Sequence, residues 1–281
     1  MSTLQSASTD ISSSPTGHPT RREAELSAAN EALVLATLTA QALQMVAIEA
    51  LRRQTEALAL AAHELRNPLM PIRTVAALLG RVTDTDQLPR LSAIIERQVM
   101  HMTRVIDDLL DAARVATGKL HLHRARIDLR EVFTNVVDVC QPMMDARAQA
   151  FVARLPERPL IVEGDAIRLT QVFTNLLTNA SKYTQVDGNI ALECRVDAQG
   201  EGAGVAVVTL TDDGIGISPE ALPMIWEPFV QDPLAIGFSK EGLGVGLTLV
   251  RELVQAHGGS AGAVSAGEGQ GSEFTVVLPL A

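Results

Sequence analysis

Cysteine is nearly absent: the 281 residues hold two, Cys140 and Cys194, far apart and without CxxC spacing. That excludes a disulfide framework and a thiolate metal centre, and both read as plain core thiols. Aromatic residues are scarce as well, with one Trp, one Tyr and six Phe, so a core must rest on Leu, Val, Ile and Ala. Positive charge falls short of negative: 23 Lys and Arg against 33 Asp and Glu leave a net charge of −10. The balance argues against nucleic acid or an anionic membrane as partner and suits a soluble, cytoplasmic protein. Long uncharged runs are missing too, apart from residues 32–48. That run contains Thr37, Thr39, Gln41 and Gln44 and falls short of the ~20 strongly apolar residues a bilayer demands. It is expected to pack against a partner helix and not to contact a membrane.

The length suits two structural units. Residues 1–20 are half Ser and Thr, with Pro15 and Pro19 and almost no large apolar side chain. They cannot offset the entropy of ordering and lack the layout of a signal peptide, so 1–21 reads as a disordered tail. From Arg22 to Gly80 no Gly or Pro occurs before Pro68, which predicts one long helix. Leu51, Leu58, Leu65 and Ile72 recur every seven residues, a stripe suited to a neighbouring helix. At 100° per residue His63 lies about 140° from Leu58 and about 160° from Leu65. The stripe therefore turns His63 towards solvent.

A turn at Thr83-Asp84-Thr85-Asp86 separates this helix from a second, predicted over 88–115. Its apolar face carries Leu91, Ile94, Ile95, Val99, Met102, Ile106, Leu109 and Leu110. Two helices on a short loop make an antiparallel hairpin with too little core of its own, and two copies pairing as a four-helix bundle solve that. Residues 22–118 thus form an all-α signalling helix and dimerisation hairpin. Thr117-Gly118 ends it and 119–126 is a linker.

From Ile127 helices and strands alternate. Helices are predicted over 128–150, 165–183 and 243–257, and strands over 160–162, 189–196, 205–211 and 272–280. Strands paired by hairpins with helices on one face make an α+β sandwich over 127–281.

Three polar constellations lie in this second unit. Asn175, Asn179 and Lys182 share one helical face. Amide oxygens suit Mg²⁺ and a lysine suits phosphate, though two core asparagines bonded to backbone would read the same. Asp212-Asp213-Gly214-Ile215-Gly216 follows a strand. A carboxylate there can accept a hydrogen bond from a flat base while the glycines admit close approach; a tight turn is the plainer reading. Gly242-Leu243-Gly244-Val245-Gly246-Leu247 opens a helix whose N-terminal amides favour anions, although many glycine-rich loops share such spacing.

Taken in order, His63-Glu64-Leu65-Arg66-Asn67-Pro68-Leu69, Asn175…Asn179…Lys182-Tyr183, Asp212…Gly214…Gly216, Trp226-Glu227-Pro228-Phe229 and Gly242…Gly244…Gly246-Leu247 resemble the H, N, G1, F and G2 boxes of bacterial sensor histidine kinases. The resemblance runs from about Leu51 to the last residue and is closest in look to the kinase core of hybrid sensor kinases. It implies a dimeric phosphoacceptor hairpin and an ATP-binding domain of the histidine kinase, topoisomerase and chaperone type. It further implies that His63 accepts phosphate, that Glu64 orients its imidazole and draws off its proton, and that Asn67 places a water for dephosphorylating the partner. Asn179 would ligate Mg²⁺ with Asn175 supporting, Lys182 would reach phosphate, and Tyr183 would lie against adenine. Asp212 and Gly216 would read the base. Phe229, Lys240 and the stretch to Glu241 resemble the lid over the triphosphate.

ATP-hydrolysing relatives of that fold resemble one another in a Glu four residues before the metal-binding Asn. Here the position is Asn175, which cannot act as a base. The expectation is ATP-dependent autophosphorylation of His63 in a homodimer, then transfer to an aspartate of a response regulator receiver domain, with phosphatase activity as a companion. The alternative is a nucleotide-binding dimeric scaffold without turnover. The closing stretch to Leu280 ends where such catalytic domains usually end, so the regulator is expected to be a separate protein, or the chain a piece of a longer hybrid kinase.

Overall fold

A computed structural model describes residues 21–79, 87–116, 121–197, 204–238 and 243–281. The expected tail to residue 20, the turn at 83–86, the helix stop at Thr117-Gly118, Lys240 and Gly242 lie outside the described residues. Two units divide the chain, residues 1–55 and 56–281.

In the first unit the described residues belong to helix α1 (Arg21–Leu79), which continues into the second. Thr37 and Thr39 turn their hydroxyls back onto the carbonyls of Leu33 and Leu35. The 20 residues Ala29–Ile48 have a mean hydropathy of 1.5 and are fully exposed. Extending the uncharged run back by three residues thus makes it long and apolar enough to cross a bilayer. The expectation that it falls short is corrected on that count, and with it the ground for excluding membrane contact.

In the second unit α1 and helix α2 (Leu88–Ala116) form the expected hairpin arms. Within a single chain the leucine stripe is only partly the covered face. Leu51, in the first unit, and Leu58 are exposed and Leu65 is half-buried, while Ala61, Glu64, Pro68 and Val75 are buried. The covered stripe therefore lies one position to the side of the leucines and includes a carboxylate. The helix also runs unbroken through Pro68 and Pro71. Among the α2 residues whose burial is described, Val105 is the buried one, with Val99, Ile106 and Leu110 exposed.

The α+β body begins with strand β1 (Ala125–Asp128), two residues inside the expected linker and antiparallel to β3 (Ile161–Gly164). Helix α3 (Leu129–Asp145) is capped by Asp128, whose carboxylate takes the Arg130 and Leu160 N–H groups. It stops short of the predicted residue 150, because Ala148 adopts a left-handed φ of 52° and Ala150 opens strand β2 (Ala150–Arg154). Helix α4 (Ala166–Tyr183) starts at the Asp165 cap. Strands β4 (Asn189–Asp197) and β5 (Val205–Asp212) follow, then the short helix α5 (Pro233–Phe238). Helix α6 (Gly246–Ala256) precedes β6 (Ser260–Val264) and β7 (Ser272–Pro279).

The main sheet runs β2-β4-β5-β7-β6. Its β2–β4 pair is parallel and the others antiparallel, so the sheet is mixed rather than built of hairpins alone. Alternate residues Ile190, Leu192 and Cys194, Ala206, Val208 and Leu210, and Phe274, Val276 and Leu278 all bury on one face. There they meet Phe133, Phe173, Leu177, Val250 and Leu253 from α3, α4 and α6. This sandwich fixes α4 and the start of α6 side by side. Both cysteines are buried, and burial pushes the Cys194 thiol up to about 11, which suits inert core thiols.

Candidate active site

On α1, about four turns before its end, His63 is exposed and Glu64, its neighbour in sequence, is buried. The imidazole Nδ1 lies 3.6 Å from Glu64 Oε1, a charge contact rather than a hydrogen bond. Asn67, one turn on, brings its amide nitrogen to 3.3 Å from the same Nδ1 and donates to Glu64 Oε1 at 3.4 Å. Helical spacing alone produces this triad, because residues three and four apart are neighbours on the surface. One edge of the ring is held while the other faces outward.

The three downstream constellations converge. A cleft of about 640 Å³ is lined by Asn175, Asn179, Lys182 and Tyr183 from α4, and by Asp212 and Gly216 after β5. Gly244, Gly246 and Leu247 line it at the start of α6, and Val230, Gln231, Asp232, Ala235 and Phe238 along the far wall. The helix α5 within that wall gave no signal in the sequence.

Each end of the cleft has a distinct chemistry. At one, the Asp212 carboxylate is 7% exposed, accepts the Gly214 N–H at 2.9 Å and receives the Ser272 hydroxyl at 2.5 Å. Burial raises its pKa above the ordinary carboxylate value, against those two hydrogen bonds. Ser272 lines the cleft and was not anticipated; it stands opposite Asp212 only through the β5–β7 register, which no local pattern announces. Gly216 has φ +72°, and a Cβ there would stand 2.0 Å from the Gly267 carbonyl oxygen, so only glycine fits.

At the other end, α6 starts at Val245 without a side-chain cap, unlike α3 and α4. Its first N–H groups are thus left to an anion. Gly244 sits at φ +70°, which delays the helix to Gly246 from the predicted residue 243. Asn175 Nδ2 reaches the Gly246 carbonyl at 3.5 Å, tying α4 to this turn. Lys182 lies over the Tyr183 ring at 4.7 Å and bonds its hydroxyl at 3.0 Å. Two amide side chains, a lysine and open helical amides form a donor set suited to phosphates and a hard cation.

Two expected cleft residues stand elsewhere. Gly214 lies beneath the floor, where a Cβ would meet the Tyr183 carbonyl oxygen at 2.4 Å; it lets the turn pack rather than touching the cleft. Phe229 has φ 64° and turns away, packing with Leu65 and Leu109 against a cluster of Ala61, Val105, Leu243 and Val245. It joins hairpin to α+β body instead of covering the cleft. His101 and Val105 of α2 complete the cleft wall from the hairpin side.

Two family models match: the His Kinase A (phospho-acceptor) domain over residues 53–118, and the histidine kinase-, DNA gyrase B- and HSP90-like ATPase over residues 164–281. Sensor protein GacS of Pseudomonas syringae pv. syringae is 30% identical over 83% of this chain and 26% of its own length. The autoinducer 2 sensor kinase/phosphatase LuxQ of Vibrio cholerae is 32% identical over 85% of this chain and 28% of its own. The chain thus spans about a quarter of the length of these curated relatives. Among solved structures, full-length ShkA in complex with AMPPNP is 27% identical, with a TM-score of 0.58 over 80% of this chain and 46% of ShkA.

Proposed function

Because the chain carries the two-domain core of the two-component sensor histidine kinases, and so belongs to that family, we propose that it autophosphorylates His63 from ATP and passes the phosphoryl group to a response regulator. The observation that carries this reading is the convergence of Asn175, Asn179, Lys182, Asp212, Gly216, Gly244 and Gly246 on one cleft, in the same unit as an exposed histidine beside a carboxylate.

The chemistry follows from the side chains. Attack requires the tautomer with its proton on Nδ1, where Glu64 stands 3.6 Å away and the Asn67 amide must turn aside; that tautomer leaves the lone pair on the outward Nε2. Attack by Nε2 on the terminal phosphorus forms an N–P bond, breaks the bond to the bridging oxygen and releases ADP, while Glu64 supports the charge on the ring. Asp212 and the Ser272 hydroxyl recognise the adenine edge, and Tyr183 lies beside the base. Lys182 and the open amides of α6 take the phosphates. Mg²⁺ bound through Asn179, with Asn175 in support, would offset phosphate charge. Asn175 supplies no base for activating water, which favours transfer to an imidazole over hydrolysis.

Two copies pair through the exposed faces of the hairpin, where Leu58, Met70, Leu78 and Leu110 are otherwise left in water. The core works in the cytoplasm, where ATP is available. LuxQ is named a kinase/phosphatase, and Asn67 beside His63 is suited to place a water for the reverse, dephosphorylating step.

Incubation with Mg-ATP tests the reading through the ratio of products. One protein-bound phosphate per ADP is expected, acid-labile and base-stable. Free inorganic phosphate without labelled protein would mark a hydrolase instead, and nucleotide binding without ADP would mark a scaffold.

A further inference from the structure

One wall of the cleft comes from outside the catalytic body, and its polar member has no part in the scheme above. His101, on α2, is half-buried and lines the same cleft as Asn175, Asn179, Lys182 and Gly246. One helical turn further along the same face, Val105 is 4% exposed and packs in the cluster with Leu243 and Val245. Those two residues flank Gly244 and lead directly into the uncapped start of α6. Residues four apart on a helix stand one above the other. The Val105 contact therefore draws the imidazole towards the phosphate end of the cleft rather than towards Asp212 and Ser272.

The height along the hairpin agrees. His63 lies 16 residues before the end of α1 at Leu79, and His101 lies 13 residues after the start of α2 at Leu88. At 1.5 Å per residue the two stand about 24 Å and about 20 Å from the loop end, within a turn of each other. A phosphate chain delivered to His63 passes the level of His101.

We propose that His101 is a nucleotide-binding residue that donates a hydrogen bond to a phosphate oxygen of ATP from the hairpin side of the cleft. The inference rests on the proposed ATP-dependent kinase reading. It adds that the hairpin is part of the binding site: the nucleotide is held by α4, α6 and α2 together, so ATP binding favours the docked arrangement and docking strengthens ATP binding. No bond forms or breaks at His101, which serves as a donor only.

Two variants in the full chain test it by titration with ATP and with adenosine. His101→Leu keeps the bulk and removes the donor; His101→Gln keeps an N–H. A hydrogen bond to a charged acceptor corresponds to a loss of about tenfold or more in affinity. His101→Leu should weaken ATP at least that far and leave adenosine unchanged, while His101→Gln stays within about threefold of the parent for both. Equal ATP affinity in His101→Leu and the parent overturns the inference and leaves the kinase reading standing. Parallel loss of ATP and adenosine also overturns it, since that pattern marks a packing role. Failure of the parent chain to bind ATP removes both readings together.

Discussion

Asp212 shows how function and stability oppose each other at one residue. Burial raises its folded pKa above 3.8, so its ionised form costs the fold something. Stability from this group is fully present below pH 3.8 and is lost as pH rises through the raised value. In the proposed base recognition, the ionised carboxylate is nonetheless the acceptor an adenine amino group requires. Asp212→Asn should therefore melt no lower than the parent without nucleotide while losing at least about tenfold in ATP affinity. In the parent, affinity should fall on acidification through a pH above the ordinary carboxylate range, and Asp212→Asn should lack that step. Calorimetric titration at several pH values checks both, and a pH-independent affinity in the parent would remove Asp212 from base recognition. Gly216 gives a second check: with a Cβ only 2.0 Å from the Gly267 oxygen, Gly216→Ala must displace the turn, and nucleotide binding should be lost with it.

Among elements, α4 depends on how its start is held. Asp165 caps it, and His257 at the end of α6 accepts the Asp165 N–H at 3.0 Å through Nε2 while its Nδ1 meets the Leu253 carbonyl at 2.7 Å. That pattern needs a neutral ring. Burial lowers the His257 pKa from its ordinary 6.5, so below pH 6.5 the unfolded chain takes up a proton that the folded one resists. Stability is whole above that value and declines as pH falls. Melting temperature should drop between pH 7 and 5, and His257→Gln should flatten the drop; an equal drop in the variant contradicts the assignment. At α3, hydrogen bonding to Arg130 holds the Asp128 carboxyl down at about 2, with backbone N–H groups adding to it. Its contribution is present above pH 3.8 and lost as pH falls towards 2. Asp128→Ala should cost about 1 kcal/mol in urea denaturation for the lost cap.

These elements were legible to different degrees. Helices α1, α2 and α4 and strands β4, β5 and β7 carry long periodic patterns and stand where those patterns put them. Strand β2 has only Phe151 partly covered, and β6 is Ser-Ala-Gly-Ala-Val, so neither shows alternation. Within one chain the covered face of α1 also takes in Glu64 and Pro68, which do not look like core. Ser272 and His101 join the cleft through strand register and helix packing, which act across distances a local motif does not span. Phe229 was assigned to the lid by its position in a motif, and its backbone turn sends it to the hairpin instead.

At the scale of the whole second unit, the cluster of Ala61, Val105, Leu243 and Val245 with Leu65, Leu109 and Phe229 joins hairpin to catalytic body. It is small and wholly apolar. A carboxylate placed in it has no partner there and costs several kcal/mol, so Val105→Asp should release the body and enlarge the radius of gyration in solution scattering. An unchanged radius would mean the cluster does not hold the two together. The proposed phosphotransfer centres on one atom, the outward nitrogen of His63. The most direct measurement is site-resolved mass spectrometry at neutral pH after incubation with Mg-ATP, on the parent and on Asn179→Ala. The account predicts a phosphoryl group on His63 in the parent and none in the variant. Phosphate on another residue with His63 unmodified, or equal modification of His63 in Asn179→Ala, would contradict it.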